Sequence, residues 1–214
     1  MPITSPLYPA ELVLAGRRTV VIGAGRVAAR KVAEFLVCGA EVVVIAPEVD
    51  PEVRARARAG EIVLEERPYR DGDLDGAWLA LVATGDREVN RAVRREADRR
   101  RVWLNSADDP ENCSFTLPAR LRRGPLLITV STGGRSPAVA AWLRRRLEEE
   151  IGPEYETLIE LVAAERSRLQ ANGCSTETLD WQRALDSGTL DLVREGRLAE
   201  AKERLQACLS SSSD

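Results

Sequence analysis

An α/β fold opening on a parallel sheet is what this sequence predicts, and three observations carry it. Short β-branched runs alternate with stretches of helical length up to about residue 105. The first run, Arg18-Thr-Val-Val-Ile22, passes into Gly23-Ala-Gly25 and then into a helical stretch with few bulky side chains in its first turn. Beyond Pro137 the strand pattern does not return, and the chain reads as helices.

The elements follow in order. Gly39 supplies a left-handed stop for the first helix, on which Cys38 sits. Glu41-Val-Val-Val-Ile-Ala46 is a second parallel strand, Asp50 to Ala59 a short helix ending at Gly60, and Glu61 to Glu65 a third strand. Arg70 to Gly76 is rich in turn residues. Ala77 to Ala83 is a buried strand, followed by Thr84-Gly-Asp86, an arginine-rich helix to about Arg100, and the strand Val102 to Asn105. Ser114 to Pro118 and Pro125 to Ser131 read as a hairpin joined by a basic turn, Arg120-Leu-Arg-Arg-Gly124. Val139, Trp142, Leu143, Leu147 and Ile151 form an apolar stripe at helical spacing, which packs within the chain or against a second copy. Gly152-Pro153 marks a break before the helical segments near 158–169 and 198–209, and Ser210 to Asp214 reads as a frayed tail. The division expected is 1–112, 113–150 and 151–214.

Composition narrows the chemistry. With 44% hydrophobic and 30% charged residues, the chain is expected to be globular, and a net charge of −3 offers no global attraction to nucleic acid. Cysteines at 38, 113, 174 and 208 form no C-x-x-C pair, so reduced thiols are expected and neither disulfides nor a metal site. The N-terminus shows no signal-peptide pattern, and no apolar run is long enough for a membrane span. A cytoplasmic location is the expectation. There is no histidine, which excludes a Ser-His-Asp hydrolase, a His-ligated metal enzyme and a His acid/base dehydrogenase. Proton transfer falls to Asp, Glu, Tyr, Lys or Cys.

Strand, glycine turn and helix together suit a pyrophosphate, which backbone N–H groups bind at a helix N-terminus. Gly23 serves the tight turn, Gly25 the close approach of phosphate, and Ala28 the third small position. The acid that such folds place after the second strand is displaced or missing; Pro47 and Glu48 are the candidates for the adenosine side, and Glu48 as a helix cap is the alternative. No arginine follows that strand to meet a 2′-phosphate, which favours NAD over NADP. Thr84 is a candidate cofactor contact, while Asp86 reads as a helix cap. Asp108 and Asp109 precede Pro110, which is ordinary turn chemistry, but Asp108 is the natural proton carrier if it faces a pocket. In Ser131-Thr-Gly-Gly-Arg-Ser-Pro137, Ser136 caps a helix and Pro137 takes its first position, while the glycines and Arg135 offer a second anion-accepting turn near the basic residues 120–123.

With those motifs in order, the chain resembles the precorrin-2 dehydrogenase / sirohydrochlorin ferrochelatase family of siroheme synthesis. The resemblance rests on G-A-G-R-V-A-A-R-K at 23–31, A-T-G-D at 83–86, N-x-x-D at Asn105 to Asp108, S-F-x-x-P at 114–118 and S-T-G-G-x-S-P at 131–137. It implies an NAD-binding Rossmann domain, a dimerisation region over 113–150 that builds a homodimer, and C-terminal helices completing a tetrapyrrole cleft. By position it implies cofactor contacts from Gly23, Gly25, Arg26, Val27, Ala28, Pro47 and Glu48, and makes Asp108 the key acidic group. Asn105, Thr132, Gly133, Gly134, Arg135 and Ser136 become substrate candidates, with Thr132 where relatives often carry serine. The implied reaction is NAD-dependent oxidation of precorrin-2 to sirohydrochlorin, with iron insertion as a second activity in some members. The methyltransferase portion fused to some relatives is missing, so the substrate is expected ready methylated. The competing reading is a nucleotide-sensing module without turnover. Another small reductase would need a Tyr-x-x-x-Lys pair, and Tyr155 is followed four residues later by Ile159.

Overall fold

Alternating side chains along the apolar runs settle the architecture of the first half. The computed structural model describes residues 6–107, 109 and 113–210. In order it contains β1 (Arg18–Ala24), α1 (Arg26–Val37), β2 (Glu41–Val49), α2 (Pro51–Arg58), β3 (Val63–Glu65), β4 (Leu79–Val82), α3 (Arg87–Arg100) and β5 (Trp103–Ser106). Then come β6 (Ala119–Arg123), β7 (Leu126–Val130), α4 (Pro137–Glu150), α5 (Glu154–Ala171), α6 (Trp181–Asp186), α7 (Thr189–Arg194) and α8 (Leu198–Ser210).

The five parallel strands lie in the order β3-β2-β1-β4-β5. Val21, Val44 and Leu81 face the cluster built with Ala28, Val32 and Phe35 of α1, while Val20, Ile22, Ile45 and Val82 face the one built with Val93 and Ala97 of α3. Burial of both faces explains why the strands read as continuous apolar runs. Contacts divide the chain into two compact units, residues 1–117 with 133–135, and residues 118–132 with 136–214. In the second unit Leu158, Leu192, Val193 and Ala201 form one small core, and Ala184, Leu205 and Leu209 another.

Three local readings need correction. First, β2 runs on through Pro47 and Glu48 to Val49, because the β1–β2 register slips after Ile22 and Ala24 pairs with Val49. Second, the cap of α2 is Asp50, whose carboxylate accepts from the Glu52 N–H at 2.9 Å, and not Glu48. Third, the hairpin is β6–β7, so the arginines at 120–123 lie on a strand rather than in its turn. Leu121 is buried while Arg122 on the opposite face is exposed, and Gly124-Pro125 makes the two-residue turn, Gly124 at φ +51°. The segment 114–118 joins no ladder. Of the expected tail, Ser210 ends α8 and residues 211–214 lie outside those described.

A charged residue of α3 is fully enclosed. Glu96 of α3 has no exposed surface; its carboxylate accepts from the Tyr69 hydroxyl, the Gly72 and Leu74 N–H groups (3.0 and 3.3 Å) and Arg100 Nε (2.6 Å). It pins the turn after Tyr69 to the helix, and burial together with this carboxylate drives the Tyr69 hydroxyl well above its ordinary pKa. Glu96→Gln puts an NH2 donor among these donors. Hydrogen bonds to charged groups contribute about 1.5–3 kcal/mol, so denaturant unfolding should show a loss of about 2–3 kcal/mol on the same scale. A variant as stable as wild type would rule out the pin.

Candidate nucleotide-binding site

At the point where the strand order reverses, between β1 and β4, the chain forms a cleft of 510 Å³. Gly23, Ala24 and Gly25 line it from β1 and the turn into α1, residues 46–50 from the end of β2, and Ala83 and Thr84 from the end of β4. This is where open α/β sheets bind ligands. It brings together five of the expected cofactor residues: Gly23, Gly25, Pro47, Glu48 and Thr84.

The two glycines do different work. Gly23 has φ +103°, and a Cβ there would lie 2.8 Å from the Ala83 carbonyl carbon and closer still to its oxygen, so side-chain-free backbone is needed for β1 to pass β4. Gly25 has the ordinary extended values φ −81°, ψ −174°, with nothing within 4 Å of a Cβ placed on it. It is the N-cap of α1, has no capping side chain, and is followed by a first turn without acidic residues. Helices α2 and α3, by contrast, receive the Asp50 and Asp86 carboxylates on their first N–H groups. An open, uncapped, electropositive helix start beside a glycine fits the pyrophosphate of a dinucleotide.

Arg26 and Val27 are exposed at the start of α1, while Ala28 is buried and packs against the sheet. The buried Ala28 methyl thus allows close helix–strand approach, while its N–H belongs to the first turn of α1. Thr84 accepts from the Asp86 N–H at 3.2 Å, and its carbonyl accepts from Asn90 Nδ2 at 3.2 Å. Asn90 went unnoticed in the sequence because asparagine in a charged helix gives no signal; it is buried and braces the Thr84 turn. Ala46, Val49, Asp50 and Ala83 were likewise missed as lining residues. Only the acidity of Asp50 just after β2 could have pointed to one of them.

The substrate candidates are arranged differently. Asn105 is buried, and its Nδ2 donates to the Phe115 carbonyl at 3.0 Å. In the 131–137 loop Gly133 and Gly134 have φ +61° and +76°. Thr132 Oγ1 accepts from the Ser136 N–H at 3.0 Å and donates to the Ser136 carbonyl at 3.1 Å. Ser136 Oγ accepts from the Val139 N–H at 3.3 Å, which makes it the cap of α4, and Arg135 is exposed. Asp108 lies outside the described residues. Among the described residues no group of three or more His, Cys, Asp or Glu could hold a metal ion, and no helix is long and apolar enough to cross a membrane.

Sheet order, switch-point cleft and glycine cradle together define a Rossmann-type dinucleotide-binding protein. The chain belongs to the family described as "Putative NAD(P)-binding", whose model it matches over residues 11–119. A second model, "Sirohaem biosynthesis protein central", matches residues 123–150. Curated relatives include siroheme synthases of Photorhabdus laumondii (32% identical, 95% of this chain, 44% of the relative) and Nitrosococcus oceani (34%, 94% and 43%). Another is from Pseudomonas aeruginosa (35%, 92% and 43%). The chain thus spans less than half the length of these relatives. A solved structure titled SirC, precorrin-2 dehydrogenase shares the fold, with TM-score 0.71, 23% identity and coverage of 96% of this chain and 98% of that one.

Proposed function

We propose that this chain is an NAD-dependent precorrin-2 dehydrogenase that forms sirohydrochlorin in siroheme biosynthesis. The observation that carries the reading is the open glycine cradle at the switch point, in a chain whose next segment matches the sirohaem central element. The relatives' siroheme synthase names and the SirC fold support it.

When bound, NAD+ would supply the hydride acceptor for oxidation of precorrin-2, which releases one proton as well. The chain's own part is positional and acid–base. Gly23 to Val27 hold the phosphates, and Pro47 and Glu48 the adenosine side. Thr84 borders the path toward the ring, and Asp108 takes the proton. Glu48 and Asp50 place carboxylates in the cleft, and such charges disfavour a 2′-phosphate. Asn105 and the Thr132 to Ser136 loop serve the acidic substrate, with Arg135 exposed to meet its carboxylates.

The division 1–112, 113–150 and 151–214 assigns the cofactor, the dimer contact and the closing helices. The homodimer is supported by α4, where Val139, Trp142 and Leu143 are 45%, 48% and 37% exposed; an apolar row of this kind suits a second copy. A cytoplasmic setting agrees with four free cysteines. Enzymatically made precorrin-2 mixed with the protein and NAD+ should give sirohydrochlorin and NADH in equal amounts, and NADP+ should be used at least about tenfold less well, roughly 1.4 kcal/mol. Adding ferrous ion afterwards reads metal insertion in the same cuvette. Nucleotide binding without any turnover would replace the enzyme by a sensing module.

A further inference from the structure

The turn between β4 and α3 borders the cleft, and an amide from the first turns of that helix holds it. Its middle residue, Gly85, is exposed and has no side chain to fix it, so Thr84-Gly85-Asp86 depends on hydrogen bonds for its shape. The Ala83 N–H donates to the Ile22 carbonyl at 2.8 Å, which ties the end of β4 to β1. Beyond that point two side chains hold the turn. Thr84 Oγ1 accepts from the Asp86 N–H at 3.2 Å, and Asn90 Nδ2 donates to the Thr84 carbonyl at 3.2 Å. The position of the turn matters because it abuts the glycine cradle: a Cβ on Gly23 would lie 3.3 Å from the Thr84 nitrogen.

Asn90 is a poor choice for stability alone. It is 8% exposed, on a face of α3 whose other buried members are Val93, Glu96 and Ala97. Its Oδ1 is buried and has no hydrogen-bond partner among the described residues. An unmet buried acceptor costs at least as much as one neutral hydrogen bond returns. Leucine, of similar size, would remove that cost, and with it the donor to Thr84. We propose that Asn90 is a positioning residue for the cofactor: its amide sets the Thr84 carbonyl, and so the wall that Ala83 and Thr84 present to the dinucleotide. The inference rests on the nucleotide reading above and not on turnover. A wall fixed before the ligand arrives leaves less to be ordered on binding.

The test is Asn90→Leu, with Asn90→Ser, too short to reach the Thr84 carbonyl, as the second variant in case N90L does not fold. The readouts are NAD+ affinity by titration, in buffer where every variant tested is folded, the denaturation midpoint, and amide exchange at Asp86, whose N–H bonds to Thr84 Oγ1. Both variants should bind NAD+ about five- to tenfold more weakly, on the scale of one neutral hydrogen bond. Asp86 should exchange faster in both, and the N90L midpoint should be no lower than that of wild type. A merely structural asparagine would do the reverse, lowering the midpoint and leaving the affinity alone. Wild-type affinity, or an unchanged Asp86 rate, in a folded variant overturns the assignment. If the wild-type protein itself binds no NAD+, the proposed function fails, and exchange alone decides on Asn90: an unchanged Asp86 rate in the variants overturns its hold on the turn and a faster one sustains it.

Discussion

Gly25→Ala should fold normally and lose the dinucleotide, whereas Gly23→Ala should lose the fold. At position 25 the backbone angles suit alanine and a Cβ meets open space, so unfolding free energy should stay within about 1 kcal/mol of wild type. The open space is the cleft itself, where the added methyl stands in the path of the pyrophosphate. Overpacking of that kind costs about 1–3 kcal/mol, so NAD+ affinity in a titration should drop by up to about 100-fold on the same scale. At position 23 the same methyl meets the Ala83 carbonyl, on a backbone with φ +103°. Neither carbonyl nor glycine turn can move without shifting β1 against β4. Thermal unfolding should report a loss of about 3 kcal/mol or more, from strain and overlap together. Should G25A bind NAD+ as wild type does, the cradle is a strand–helix turn and nothing else.

That contrast also shows how far the residues speak for themselves. The strand, glycine turn and helix at 18–31 were legible because each local choice agrees with the next: β-branched run, small residues, then a helical stripe. The sequence could not say that Gly23 answers to Ala83, sixty residues later, while Gly25 answers to empty space; both are simply glycine. Glu96 was illegible for a related reason, since Arg-Arg-Glu-Ala-Asp-Arg-Arg reads as a solvated face and only the Tyr69 turn folding over it makes it a buried pin. The arginines at 120–123 hid a strand because four charged or apolar residues before Gly-Pro look like a turn, although Leu121 alone faces the core. Cys113 gave no pattern because its partners, backbone groups of Ser106 and Asp109 and the Asn105 amide, form no motif. The sequence leaves the expected acid after β2 displaced or missing, and the length of β2 was not legible. The register slip at Gly23 carries the strand on to Val49 and brings Asp50 into the cleft.

Asp108→Asn should bind NAD+ with unchanged affinity and turn over precorrin-2 about 100- to 10,000-fold more slowly, the range that general acid–base groups contribute. The chain has no histidine, and its two lysines are Lys31, ion-paired with Glu34 at 2.9 Å on α1, and Lys202 of α8. Tyr69 is committed to Glu96. At the end of β2 the Asp50 carboxylate caps α2, and at the end of β4 the Asp86 carboxylate caps α3. A proton leaving the substrate beside the nicotinamide needs a base, and the resemblance gives that role to Asp108, two residues after Ser106. Asparagine keeps the size and polarity of the side chain but cannot take a proton, so NAD+ titration and single-turnover hydride transfer should separate cleanly. Wild-type kcat in the D108N enzyme would move the proton to Glu48 or to solvent.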